Sequence, residues 1–190
     1  MTQNTKSGRG QLVILALVFF GPLAVAAWLY FSGADFQPKG RTNHGELLQP
    51  LVNIQDTLTA SSIGELDDGR WLLVYGHDGA CGDPCRFSLY TLRQSRLMLG
   101  RDTERLVRVF LHGAEPPDTA FLAEEHAGLV TLRNDRFSAL LEKNRPVDTP
   151  PGGFFLVDPL GNLVMYFGAD IDPADMVEDI EHLLKLSRIG

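Results

Sequence analysis

The chain has two cysteines, Cys81 and Cys85, four positions apart in the stretch GHDGACGDPC (Gly76 to Cys85), directly after the apolar run WLLVY. If residues 81 to 85 enter the first turn of a helix, a rise of ~1.5 Å per residue puts the two Cα atoms about 6 Å apart, inside the range a disulfide tolerates. The same separation lets two thiolates converge on one soft ion such as copper(I). Both chemistries need thiolate, which a helix N-terminus stabilises. Gly82, Asp83 and Pro84 between the cysteines are turn formers rather than core fillers, so a working pair is the stronger reading over two inert buried thiols. Two cysteines are too few for a disulfide-built scaffold, and no second pair completes a structural zinc site.

Two histidines are candidate helpers. His77 precedes the pair by four residues, and His112 ends the second apolar run, LVRVFL. Each can serve as a third metal ligand or a proton acceptor, although a solvent-facing loop histidine is the stronger reading for both. His44, His126 and His182 have nothing in the sequence to recruit them.

The elements that must position these residues alternate along the chain. Trp71–Tyr75 is a short, continuously apolar run, as expected of a strand buried on both faces, and Leu106–Leu111 is a second. Between them Phe87, Tyr90, Leu92, Leu97 and Leu99 lie in a helix-permissive stretch that ends at Gly100. Asp118 is the N-cap of a helix through Ala120, Phe121, Leu122 and His126; Leu129–Leu132 is a short third strand; Phe137, Leu140 and Leu141 mark one face of a helix. Phe154–Val157 and Leu163–Phe167 are strands joined by the turn Asp158-Pro159-Leu160-Gly161-Asn162. Asp172-Pro173 opens a last helix with the apolar stripe Met176, Val177, Ile180, Leu183 and Leu184. Parallel crossovers followed by a hairpin and a helix predict an α/β fold of thioredoxin-like order. The cysteines then sit where the first core strand hands over to a helix, at the carboxyl edge of the sheet, where open α/β folds place their sites.

Ahead of this domain, residues 12–31 (LVILALVFFGPLAVAAWLYF) carry no charge over twenty positions, enough for a transmembrane helix. A cleaved signal peptide is the rival reading, with Lys6 and Arg9 as its basic region and Ala24-Val25-Ala26 as a cleavage site. The anchor is favoured because the apolar run continues through Phe31. The expected organisation is residues 1–11 as a cytoplasmic N-terminus, 12–31 as the anchor, 32–50 as a Gly- and Pro-rich tether, and 51–190 as the domain, facing the periplasm or extracytoplasmic side of the cell (inner) membrane. Beyond Lys6 and Arg9 the chain has 15 basic against 24 acidic residues, a balance that argues against nucleic acid.

Pro150-Pro151 resembles the cis-proline loop that faces the cysteines in thioredoxin-like proteins; since only ~5–6% of X–Pro bonds are cis, a trans bend is the ordinary expectation. More widely, the chain resembles the Sco/SenC family over about residues 65–188 plus the anchor. Cys81-Gly82-Asp83-Pro84-Cys85 matches the family's CxxxC with its central Asp; Pro117-Asp118-Thr119 is similar to the stretch after its second core strand. Leu156-Val157-Asp158-Pro159-Leu160-Gly161 followed by Tyr166-Phe167-Gly168 is similar to its C-terminal hairpin. That resemblance implies a membrane-anchored thioredoxin-like protein that helps deliver copper to cytochrome c oxidase.

It departs at one point: the family's third copper ligand is a histidine eight positions before the Asp of the hairpin, and here that position is Pro150. The expectation is therefore an accessory protein of oxidase assembly that exchanges thiols and disulfides through Cys81 and Cys85, requires no cofactor, and meets a membrane oxidase subunit, its copper site or another thiol protein. Cys81 is expected to be the exposed member of the pair. The alternatives are a copper(I) chaperone using Cys81, Cys85 and His77 or His112, and a non-catalytic scaffold on a membrane complex.

Overall fold

The computed structural model describes residues 7–31, 43–59, 69–115 and 117–187, divided into two compact units, Met1–Arg41 and Thr42–Gly190. In the first, helix α1 (Ser7–Phe31) has exposed apolar side chains all round and runs through Pro22 without breaking. Its segment Gly10–Phe31, 22 residues of mean hydropathy 2.6, is long and apolar enough to cross a membrane.

The second unit is a six-stranded sheet in the order β1-β6-β5-β2-β3-β4, formed by β1 (Glu46–Asn53), β2 (Trp71–His77), β3 (Leu106–His112), β4 (Val130–Leu132), β5 (Phe154–Val157) and β6 (Asn162–Phe167). The β2–β3 and β3–β4 pairs are parallel, joined by crossover connections through helices, while β5, β6 and β1 add in antiparallel sense. Helices α3 (Asp83–Met98), α4 (Thr119–Glu125) and α6 (Pro173–Leu186) cover one face, where Leu89, Leu92, Leu122, Met176 and Ile180 pack on Leu73, Phe110 and Phe154. Helices α2 (Gln55–Thr59) and α5 (Asp135–Lys143) cover the other, through Ile54, Leu58, Phe137 and Leu141 against Leu72, Val74 and Val109. Every residue of Trp71–Tyr75 is buried because alternate side chains enter opposite cores.

The strands and helices expected between Trp71 and Leu184 are all present, and the expected caps do their work. Asp118 accepts from the backbone N–H groups of Ala120 and Phe121, and Asp172 from Ala174. In the hairpin, Asp158 accepts from the N–H groups of Leu160 (2.9 Å) and Asn162 (2.8 Å), and Gly161 takes the positive φ of 77° that the turn needs.

The tether expected over 32–50 differs in its last residues. Gly45 N–H donates to the buried Asp179 carboxylate of α6 (2.7 Å), and 46–50 belong to β1. The cause is packing: Leu47 and Leu48 each find a core, and Pro50 is tolerated because β1 is an edge strand with a bulge between Leu47 and Val52. Residues 32–42 of that stretch lie outside the described residues.

Leu73, fully buried in the central strand, should be costly to truncate. Leu73→Ala is expected to lower the unfolding free energy of the detergent-solubilised chain by about 2–5 kcal/mol in urea titration, whereas Leu97→Ala at the exposed face of α3 should stay within about 0.5 kcal/mol of wild type.

Candidate functional site

Parallel pairing of β2 and β3 brings their carboxyl ends level, with His77 directly opposite His112 in register and Gly113 N–H donating to the His77 carbonyl (3.0 Å). Glycine is required at 113, since a Cβ there would overlap the backbone of Asp78. From this edge the chain turns through residues 78–82 into α3. Gly82 is the N-cap, Asp83 and Pro84 open the helix, and Arg86 N–H closes the first turn on the Gly82 carbonyl (3.0 Å).

Cys81 and Cys85 are joined as a disulfide with their Cα atoms 5.0 Å apart. Only Cys85 lies within the helix, in its first turn; Cys81 stands two residues before it. Burial separates them further: Cys85 is 1% exposed within the α3-side core, while Cys81 is half-buried at its margin. In that core Tyr75 lies 5.7 Å from the Phe110 ring and 5.6 Å from the Phe154 ring, an aromatic layer from the three central strands. Burial pushes the Tyr75 phenol above its ordinary range, so it remains a neutral member of that layer.

Alternation along the strands puts His77 two residues beyond Tyr75, and His112 two beyond Phe110, on the same face as α3. Each ring is engaged locally. His77 Nε2 lies 3.2 Å from the Ala80 carbonyl oxygen and His112 Nδ1 lies 3.0 Å from that of Gly113; a carbonyl only accepts, so these nitrogens carry the protons. Asp83 sits at the positive end of α3, where a carboxylate is stabilising.

The turn containing Pro150 and Pro151 leads into β5, and Phe154 pairs with Tyr75, so this loop lies at the carboxyl end of β2. Both proline bonds are trans; the cis bond among the described residues is Gln49–Pro50. Pro151 and Pro84 line one cavity of about 620 Å³ with His77, Ser88, Gly152 and Gly153. A Cβ at Gly153 would overlap the Phe167 carbonyl and the Tyr166 hydroxyl, so only glycine lets the loop lie this close to β6.

The other wall of the cavity carries Tyr166 of the C-terminal hairpin beside Glu142 and Arg145, two residues the sequence did not single out. Tyr166, its phenol pushed up by burial, donates to the Pro150 carbonyl (3.0 Å), and Arg145 pairs with Glu142 (2.6 Å) while bonding the Thr149 carbonyl. Glu142 lies on α5 and Arg145 just after it, where an ordinary solvated charge pattern gives no local signal of a cavity beyond.

Among the described residues no three His, Cys, Asp or Glu side chains converge as a metal site. Cys81 and Cys85 hold each other, His77 and His112 are tied to neighbouring carbonyls, and position 150 offers only a carbonyl already taken by Tyr166. Reduced, the pair is a dithiol with Cys85 buried behind the half-buried Cys81, and each histidine, donating one ring N–H to a carbonyl, keeps a lone pair on its other nitrogen.

A mixed sheet with helices on both faces and a cysteine pair at the β2–α3 junction defines a thioredoxin-like protein. The chain belongs to the family described as transmembrane-like, thioredoxin-like, C-terminal domain, whose family model matches residues 71–187. Among solved structures it is similar to apo Sco1 from Thermus thermophilus, at 16% identity over 76% of this chain and 99% of that one, with a TM-score of 0.56. Yeast Sco1 gives 21% identity over 78% and 98%, with a TM-score of 0.53. Arabidopsis thaliana ScoI with copper bound gives 17% over 65% and 89%, with a TM-score of 0.52. At these identities the likeness establishes a shared fold. No curated protein matches the chain by sequence.

The burial difference predicts an order of reactivity. After reduction of the native chain, iodoacetamide should modify Cys81 roughly tenfold or more faster than Cys85, read by mass spectrometry of the peptides; equal rates would remove the assignment of Cys81 as the attacking sulfur.

Proposed function

We propose that this chain is a membrane-anchored thiol–disulfide exchange protein of respiratory oxidase assembly, with its domain on the extracytoplasmic side. The observation that carries the proposal is the pairing of a half-buried Cys81 with a fully buried Cys85 across the start of α3, with a proline where the third donor of a copper site would stand. The apolar helix Gly10–Phe31 supports the anchor, and the resemblance of the CxxxC stretch and the C-terminal hairpin to the Sco/SenC pattern is what suggests oxidase assembly as its setting.

In the reducing direction the Cys81 thiolate, favoured by the N-terminal field of α3, attacks a partner disulfide and forms a Cys81–partner disulfide as one partner thiolate leaves. The Cys85 thiolate then attacks the Cys81 sulfur, closing the internal disulfide and expelling the second partner sulfur as thiolate. Two electrons have moved to the partner, each of its sulfurs takes up one proton, and a dithiol reductant resets the pair. The buried position of Cys85 keeps external disulfides away from it while leaving it within bonding reach of Cys81. The partner best suited is the cysteine pair of an oxidase copper site, which must be reduced before it can take up metal.

The full chain in detergent, equilibrated with dithiothreitol or glutathione buffers, should titrate as a two-electron couple between about −300 and −120 mV. A peptide carrying an oxidised cysteine pair should be reduced by it, form a trapped mixed disulfide with Cys85→Ser, and go unreacted with Cys81→Ser. Anaerobic copper(I) titration decides against the proposal if the reduced chain binds one ion tightly and loses it in His112→Ala or His77→Ala. A pair that neither reduces in that range nor binds copper would leave a scaffold role instead.

A further inference from the structure

Phe87, Tyr90 and Leu97 on α3 are 56%, 50% and 56% exposed, and Met98 is 48% exposed. A surface helix ordinarily turns its polar side chains outward, and α3 does the reverse: Ser88, Thr91 and Ser95 are buried while rings and aliphatic chains face solvent. At about 100° of rotation per residue, Phe87, Tyr90, Gln94 and Leu97 fall on one stripe, opposite the buried Leu92. Their spacing, three, four and three residues, is that of a seam between packed helices.

The charges beside the stripe are turned away from it. Arg86 lies over the Phe121 ring of α4, 4.4 Å from its centroid, and Arg93 pairs with Glu125 (3.1 Å). Arg96 gives its Nε to the Leu106 carbonyl (2.9 Å). The stripe is thus apolar rather than basic, a surface suited to protein and not to anionic lipid. Its two ends carry opposite charge. Asp83 is exposed at the first residue of α3, and Arg101, whose side chain is 95% exposed and only loosely paired with Asp102 (4.0 Å), follows the last turn.

We propose that this face of α3 docks a second copy of the chain, the two α3 helices packing antiparallel. A two-fold axis at the level of Leu92 sets Phe87 beside Leu97 of the other copy, Tyr90 beside Gln94, and Asp83 beside Arg101. Each contact occurs twice, as an isologous interface requires. Half-exposed side chains of this size present roughly 100 Å² each, about 400 Å² of apolar surface per copy. With Gln94 and the charged ends the contact comes to about 600 Å² per copy, the low end of specific interfaces, so a reversible dimer with a Kd on the order of 10 μM is expected. The pairing does not depend on the redox role of Cys81 and Cys85.

Sedimentation equilibrium of the full chain in density-matched detergent, across a concentration series, tests this. A monomer–dimer equilibrium is expected, weakened roughly tenfold or more in Leu97→Glu and in Tyr90→Glu. Both positions are exposed in the single chain, so circular dichroism and the urea midpoint of dilute samples should match wild type. Asp83→Arg and Arg101→Asp should each weaken the dimer, and the double variant should recover it, because the exchanged charges meet again across the axis. A dimer unchanged in Leu97→Glu and Tyr90→Glu belongs to another contact and overturns the proposal, as does a double variant no tighter than the singles. A chain monomeric throughout overturns it too, and labelling of α3 by a photoactivatable phosphatidylglycerol in nanodiscs then gives the face to the bilayer.

Discussion

The C-terminal end of β2 is the point from which the cysteine site hangs. β2 is hydrogen-bonded on both edges, to β3 and to β5, and buried on both faces, so its end is fixed in all directions. The parallel neighbour supplies His112 and Gly113, the antiparallel neighbour delivers the Pro150–Gly153 loop from the other side, and α3 starts over the top with Cys85 pressed into the core. Three non-contiguous segments meet there because one strand cannot move. An exchange centre needs that rigidity, since the second sulfur must wait within bonding reach of the first.

Much of this was legible in the sequence because burial on both faces leaves an unbroken apolar run. WLLVY, LVRVFL and FFLV read as strands without any structure, and Asp118, Asp158 and Asp172 announced turns and caps that formed as expected. The cysteine edge followed from the order of elements. β1 was not legible, because ELLQPLVN has neither strict alternation nor a continuous run and contains a proline that edge position and a bulge accommodate. The short α2, five residues, is below the length at which periodicity speaks. What the sequence hid most completely was non-local: the α5 wall of the cavity, and the burial of Arg108, which a reading of LVRVFL as a core strand passes over.

His77 and His112 show how strand register can place two candidate side chains without making them converge. Their order in the chain put both at the sheet edge, and the register sets them side by side, yet each ring turns to a carbonyl within its own loop. Proximity of donor types along a strand edge is thus a weaker statement than convergence on a point. Pro150 acts in the opposite way, contributing through its main chain, as the acceptor of the Tyr166 hydroxyl that fastens the flanking loop to β6.

The disulfide itself spans only four residues. A crosslink removes conformational freedom from the unfolded chain in proportion to the logarithm of the loop it closes, so a ring this small contributes about 2 kcal/mol, against about 4.7 for a loop of a hundred residues. The double core and the sheet hold the domain together without it. Breaking this bond would therefore take little from the stability of the rest of the domain, and the crosslink is closer to a clasp than to a rivet.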